Sequence, residues 1–400
     1  MMRAGIAPVV LCGLVVGSAC TTAHQGVPPV EQRIAGVVTG LHVRRSRAAQ
    51  IPSERWTLEE RMTRHRVPAV SIAVIHGDTI HWSQAYGTTV ALDGRSVTAQ
   101  TPFQAASISK ALTAFATLLV VDRGLLSLDT PVNRYLRSWT LPASAAGSND
   151  SVTIALTLGH MAGLSSFPFP GYAPGTALPT LAQILDGVPP ALTPPVRITQ
   201  RPGSTWTYSN GGYLVLQQVL EDVTSLAFST LMDSLVLAPL GMEHSTFQQP
   251  LPARQEAVAA VGHDQEGVPL PDRWRIQPEL AAAGLWTTAS DLARFALAVR
   301  TAGRQSADAL LAAPTAVALT TPRFTNFSLG LLIRRNGGHA WFTLNGGNEG
   351  YRCLMYVYLT AGVGAVVMTN ADAGLALASE IINSIALEYR WPSFIPEEFW

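Results

Sequence analysis

The chain has 400 residues, 48% of them hydrophobic and 14% charged, enough to bury a sizeable core in one large domain or two interleaved ones. Its 27 Lys plus Arg balance 27 Asp plus Glu, so it lacks the basic footprint of a nucleic-acid or anionic-membrane binder. Of the three cysteines, Cys12, Cys20 and Cys353, one falls in the body, which excludes a disulfide framework and a cysteine-built zinc site there.

Residues 1–20 read as an export signal. Arg3 supplies the positive region, 6–16 an apolar run too short to span a bilayer, and Gly17, Ser18 and Ala19 the small residues before Cys20. Ser18-Ala19-Cys20 resembles a lipoprotein processing site, which makes Cys20 a candidate for lipidation; cleavage nearby, for example after Ala23, is the other reading. Both put the body outside the cytoplasm, in the periplasm or cell envelope, and only lipidation of Cys20 would attach it to a membrane. Residues 21–50 mix Thr, Gly, Pro, Gln and Arg without sustained periodicity and are expected to form a tether, leaving 51–400 as the body.

A charged amphipathic pattern over 53–66 predicts a helix stopped by Pro68. The β-branched run 70–75, the turn residues His76-Gly77-Asp78-Thr79 and a second run 80–86 predict a hairpin. From 107 to 320 the pattern is mostly helical, broken by a Pro- and Gly-rich stretch over 167–195 that reads as a long surface loop. Strand-like runs return at 328–334, 340–344, 352–359 and 364–368, before an apolar helix over 374–389. Strands at both ends with helices between predict an α/β (α+β) fold. One antiparallel sheet is drawn from 51–106 and 321–400 and flanked by helices, with 107–320 as an inserted, mostly helical part.

The 27 basic residues are 26 Arg and a single Lys, Lys110. Arg stays protonated in proteins, whereas a buried Lys can give up its proton. Ser107-Ile108-Ser109-Lys110 opens an apolar segment, 111–121, that ends at Arg123-Gly124, a good helix stop. A helix beginning near Ser107 puts its hydroxyl and the Lys110 amine one turn apart on the same face, beside the unpaired N–H groups of the helix start. Burial there would favour a neutral amine able to take the Ser107 proton. Taken alone, the four residues equally describe a helix cap followed by a surface cation.

Two further segments carry polar groups in unusual settings. In Thr207-Tyr208-Ser209-Asn210-Gly211-Gly212, the phenol of Tyr208 and the amide of Asn210 flank a small residue ahead of an apolar helix, so both could reach one cleft; an ordinary turn with an aromatic anchor reads the same way. In Asn345-Gly346-Gly347-Asn348-Glu349-Gly350, between two strand-like runs, the glycines would let a peptide-like ligand lie along a strand edge and free a backbone N–H for an oxyanion. A glycine-rich hairpin turn is the alternative.

In this order the three segments resemble the serine β-lactamase and penicillin-binding protein superfamily, with Ser-x-x-Lys, then Tyr-x-Asn, then a strand motif ending in Gly. The likeness is to the class C β-lactamase, D-aminopeptidase and esterase branch, and it extends over about 58–387. Leu158-Gly159-His160-Met161-Ala162-Gly163-Leu164 is similar to the His-Thr-Ser-Gly-Leu stretch of that branch, and 284–292 adds support. The resemblance implies Ser107 as the nucleophile of an acyl-enzyme, Lys110 and Tyr208 as the groups that move its proton and later activate water, and Asn210 as a positioning amide. It implies an oxyanion hole from the Ser107 N–H and an N–H of Gly347 or Asn348, with Asn345 and Gly346 in the same strand segment. Loss of one such donor typically costs about 2.7 to 4 kcal/mol.

One departure matters. The third motif of the family usually begins with Lys or His, and that place holds Leu344 or Asn345, neither of which can be a cation. A weaker positive field there counts against carboxylate-bearing penicillins and D-Ala-D-Ala peptides and favours a neutral ester or amide. Arg352 is a candidate for the missing charge, or a plain strand-surface Arg. His160, His244, His263 and His339 show no metal-ligand spacing and read as core or surface residues, so neither metal nor cofactor is expected. Trp206, Trp286 and Trp341 are candidates for cleft walls or for core packing. The function expected is an exported serine hydrolase acting on a small-molecule or peptide-like substrate: a β-lactam, a D-amino-acid peptide or a small ester. The alternative is a penicillin-binding or cell-wall-binding module without turnover.

Overall fold

The computed structural model describes Met1 and residues 28–41, 55–91 and 94–394. Residues 2–20 of the expected export segment, with Cys20, and the parts of the expected tether at 21–27 and 42–50 lie outside the described residues.

Among the described residues eight strands are formed: β1 (Ala69–His76), β2 (Thr79–Gly87), β3 (Phe103–Gln104), β4 (Trp286–Thr287), β5 (Leu332–Asn336), β6 (His339–Asn348), β7 (Tyr351–Tyr358) and β8 (Val363–Thr369). Six of them make one antiparallel sheet in the order β2-β1-β8-β7-β6-β5, so strands from the two ends of the chain meet where β1 pairs with β8, Val70 opposite Thr369. The hairpin joining β1 to β2 turns at Gly77 and Asp78, with φ of +62° and +63°, the pair of left-handed conformations that matches strand twist.

Both sheet faces are covered, which is why β1, β7 and β8 read as nearly continuous apolar runs. Alternate residues divide cleanly. Ala69, Ala73 and Ile75 of β1 enter the larger core with α3 (Ser109–Asp122), α4 (Asn210–Thr224) and α5 (Ala289–Gly303), while Val70, Ile72 and Val74 enter a second core under α6 (Gly374–Glu388).

On that second face the expectation of a tether over 21–50 is corrected. Residues Val30–Val38 form a helix, here α1, and Val30, Ile34, Val37 and Val38 join the core beneath α6. Ser384 donates to the Val37 carbonyl at 2.9 Å and Arg33 to that of Glu388 at 3.2 Å. A helix of nine residues is marginal in water and takes its stability from tertiary contact, so its short sequence pattern carried little signal. The helix expected over 53–66, α2, runs Leu58–His65; Thr57 starts it by accepting the Glu60 N–H while Glu60 reaches back to the Thr57 N–H.

The stretch over 167–195 is not a plain surface loop. It contains a short helix, Leu181–Asp186, and buries Phe167, Tyr172, Ile184 and Leu185. The two-residue strands β3 and β4 pair apart from the main sheet, Phe103 with Thr287 and Gln104 with Trp286, and set the chain that leads into α3 against the 280–285 segment.

Candidate active site

Ser107 lies on the tight turn between β3 and α3. The chain makes a single 3₁₀ turn at Ala106–Ile108, and Ala106 has φ of +49°, a region a β-carbon makes costly by about 1–3 kcal/mol. The turn is held from within. Ser109 Oγ donates to the Ala106 carbonyl at 2.6 Å and accepts the Leu285 N–H at 3.1 Å, so Ser109 is the buried anchor and Ser107 the half-buried residue facing the cleft.

Lys110 follows one turn into α3 and is 4% exposed. Its Nζ donates to Ser107 Oγ at 3.2 Å and to the Ala282 carbonyl at 2.8 Å, and it lies 5.1 Å from the centre of the Tyr208 ring. Hydroxyl, amine and phenol are therefore brought together from segments about a hundred residues apart. The Tyr208 hydroxyl makes no hydrogen bond to either group in this structure, and its side chain is accessible from the cleft. His160, expected in the core or at the surface, is buried and also lines this cleft, with its ring 4.6 Å from that of Tyr208; burial, aided by the Lys110 charge, pushes its pKa down to about 3.

The third segment is strand rather than loop. Residues 344–348 continue β6 beyond Thr343, the last residue paired with β5, so one edge of this stretch is bound to β7 and the other faces Ser107. Gly346 makes the approach feasible: a β-carbon there would sit 2.1 Å from the Ala105 carbonyl oxygen and 3.2 Å from the Ser107 nitrogen. The Ser107 N–H is thus set beside a strand edge, as an oxyanion site requires. Gly347 is exposed on that edge, and Asn345 lines the cleft.

The side-chain amides of two expected site residues are engaged elsewhere. Asn348 points its buried amide away, donating to Gln104 Oε1 at 2.6 Å and to the Ala283 carbonyl at 3.2 Å, and so braces the strand. Asn210 begins α4 and gives its amide N–H to the Phe167 carbonyl at 2.7 Å; its Oδ1 is buried with no partner. Both amides are claimed by backbone carbonyls distant in sequence, contacts that no local pattern announces.

The cleft encloses about 170 Å³, with Trp206, Phe327, Leu332 and Leu344 as apolar walls and Lys110 as the one cationic side chain among its described lining residues. Arg352 does not replace the missing cation. It donates to the carbonyls of Asn348 and Tyr351, both at 2.7 Å, and pairs with Asp372 at 2.9 Å. Trp286 is fully buried and Trp341 belongs to the core under α6, so of the three tryptophans Trp206 alone forms a wall. A larger groove of about 890 Å³ runs along α2 and β2, but no Ser–Lys pair lines it. Among the described residues no group of three or more His, Cys, Asp or Glu is arranged to hold a metal.

Comparison with known proteins gives the same frame. Esterase EstB of Burkholderia gladioli is 35% identical over 221 residues, 53% of this chain and 54% of that protein. Penicillin-binding protein 4 of Amycolatopsis lactamdurans is 28% identical over 242 residues, 58% of this chain and 60% of that one. The chain thus spans about half the length of the curated relatives it matches. The D-amino acid amidase from Ochrobactrum anthropi SV3, solved with L-phenylalanine amide, shares the fold with a TM-score of 0.70 at 18% identity, over 90% of this chain and 99% of that one. The Beta-lactamase family model matches residues 55–388, which include Ser107, Lys110, Tyr208 and the edge of β6; the chain belongs to the Beta-lactamase family.

Proposed function

We propose that this chain is a serine hydrolase that forms an acyl-enzyme at Ser107 and hydrolyses an uncharged ester or amide. The observation that carries the reading is Lys110 Nζ at 3.2 Å from Ser107 Oγ, nearly buried, with the Tyr208 ring against the same nitrogen. Ser107 Oγ attacks the carbonyl carbon and its proton passes into the Lys110–Tyr208 pair. The oxyanion takes hydrogen bonds from the Ser107 N–H and from Gly347 on the edge of β6. The pair then protonates the departing alkoxide or amine, and water repeats the sequence on the acyl-enzyme.

Substrate charge follows from the walls. Leu344 and Asn345 offer no cation, and Arg352 is engaged outside the cleft, so a substrate carboxylate finds no partner in the oxyanion region. A small neutral acyl group fits about 170 Å³ of largely apolar space. The 35% identity to a protein named an esterase supports this choice over a β-lactam. Export through residues 1–20, with Cys20 lipidated or cleavage nearby, is part of the same proposal.

The test compares the wild type with Ser107→Ala and Lys110→Arg on p-nitrophenyl acetate and nitrocefin, with intact-mass detection of adducts. Ester turnover should fall to background in Ser107→Ala and by roughly 10²–10⁴-fold in Lys110→Arg, which keeps the charge but cannot shuttle a proton. Equal rates in wild type and Ser107→Ala overturn the reading. Stable labelling of Ser107 by penicillin without turnover supports a binding module instead.

A further inference from the structure

His160 occupies a backbone position uncommon for a residue other than glycine. Its φ is +58°, the left-handed region that glycine enters freely and that histidine, asparagine and aspartate enter more often than other side chains. A residue with a bulky β-carbon persists there when its side chain is needed where the turn aims it. The turn after the helix Ile154–Leu158 aims this one into the interior, 2% exposed, at the floor of the cleft.

The same residue grips the chain on both sides of Tyr208. Its carbonyl accepts the Thr207 N–H at 2.9 Å and its Nδ1 accepts the Ser209 N–H at 3.1 Å. Between those bonds the imidazole lies 4.6 Å from the Tyr208 ring, tilted by 36°, and 5.2 Å from the Tyr213 ring. Phe327 closes against it edge-on at 5.0 Å. The two phenol rings in turn lie 5.1 and 5.9 Å from Lys110 Nζ. One imidazole therefore sets the plane of Tyr208 relative to the amine that touches Ser107.

These contacts also fix its protonation. An Nδ1 that accepts a hydrogen bond carries no proton, so the ring is neutral with its hydrogen on Nε2. The titratable groups facing it are Lys110, Tyr208 and Tyr213. Burial and the Lys110 charge both oppose a second proton on the ring, and Tyr213, held far above its ordinary range by burial, gives its hydroxyl proton to the Leu158 carbonyl. His160 thus contributes shape and a fixed acceptor, not a proton.

We propose that His160 is a positioning residue for the reaction at Ser107, a neutral imidazole that clamps Tyr208 from both flanks and holds its phenol against Lys110. The inference rests on the reading of Ser107, Lys110 and Tyr208 as acyl-transfer machinery. Because His160 acts through Tyr208, its loss lowers kcat and displaces the pH profile, and leaves KM nearly unchanged.

Two variants separate the clamp from the backbone. His160→Gly removes the ring while relieving the strain at φ +58°, so a loss of activity does not trace to the turn. His160→Asn also tolerates that φ and offers a side-chain oxygen to the Ser209 N–H. Ester hydrolysis is followed against pH for these, for Tyr208→Phe and for Tyr208→Phe/His160→Gly. His160→Gly should lose roughly 10- to 100-fold in kcat, His160→Asn should recover part of it, and the double variant should be no slower than Tyr208→Phe. Full activity of His160→Gly, or losses that multiply in the double variant, overturn the proposal. An independent readout is ¹⁹F NMR of the 3-fluorotyrosine-labelled protein, with the Tyr208 resonance assigned by its disappearance in Tyr208→Phe. That resonance should move and broaden in His160→Gly, and an unmoved resonance overturns the clamp whatever the turnover. A resonance that moves in a protein inert towards every ester supports the clamp and removes the Ser107 reading alone.

Discussion

Replacing Glu279 by Gln should stabilise the protein at alkaline pH and change it little under acid conditions. Glu279 is fully buried, and neither of its carboxylate oxygens has a hydrogen-bond partner. Burial pushes its pKa up from 4.5 to about 7, against a smaller opposing contribution from its own backbone N–H. Between those values the folded carboxyl keeps its proton while the unfolded one has lost it. Stability therefore falls as pH rises through this window and is flat on either side. A displacement of about 2.5 pH units corresponds to roughly 3 kcal/mol when fully developed. The same two pKa values give about 1 kcal/mol at pH 5 and about 3 kcal/mol at pH 8. With an unfolding entropy of about 2.1 cal/mol/K per residue over roughly 350 residues, 3 kcal/mol is a Tm difference of about 4 °C. The assay is thermal unfolding of wild type and Glu279→Gln at pH 5 and pH 8, at one scan rate; any pH-independent cost of the amide cancels between the two conditions. A Tm difference that is the same at both pH values refutes the reasoning. The result bears on the site as well, because the next turn supplies the Ala281 and Ala282 carbonyls that accept from Thr113 Oγ1 and Lys110 Nζ.

Two substitutions test the edge of β6. Gly346→Ala, at a position without a positive φ, is a purely steric change: its methyl would meet the Ala105 carbonyl at 2.1 Å, so strand or turn must retreat. Ester kcat/KM should fall at least tenfold and stability by about 1–3 kcal/mol; unchanged turnover would show that the contact does not set the geometry at Ser107. Leu344→Lys places a cation in the cleft at the family's usual position. The ratio of kcat/KM for nitrocefin, which bears a carboxylate, to that for p-nitrophenyl acetate should rise roughly tenfold, about 1.4 kcal/mol. A ratio that stays level or falls would mean that absent charge does not govern substrate choice.

Local chemistry explains what the sequence made legible. The β1–β2 hairpin was readable because an apolar run, a Gly-Asp turn and a second run lie within twenty residues, and the α/β frame followed from strands at both ends. Ser107 and Lys110 stood out because their relation is a helical spacing and the chain has no other Lys. Helix α1 is not legible in the sequence because nine residues rarely specify a helix without the surface they pack on, and β3–β4 because two-residue strands carry no period.

The supporting contacts were hidden for a different reason. Asn348 is turned by Gln104 and Ala283, Asn210 by Phe167, and Ala106 holds a left-handed φ although it is not glycine. Each partner is an ordinary residue or a backbone carbonyl, recognisable only after the chain has folded. His160 is the clearest case: it stands in the stretch similar to the His-Thr-Ser-Gly-Leu segment of the branch, but nothing local announces its role, and its position between Thr207 and Ser209 arises from tertiary structure. The chemistry of such a site is therefore carried by residues whose type is constrained locally, and its geometry by residues whose type looks free. Substitutions at the second kind should lower turnover with little effect on substrate affinity, which is why His160 and Gly346 are sharper tests of the arrangement than the nucleophile itself.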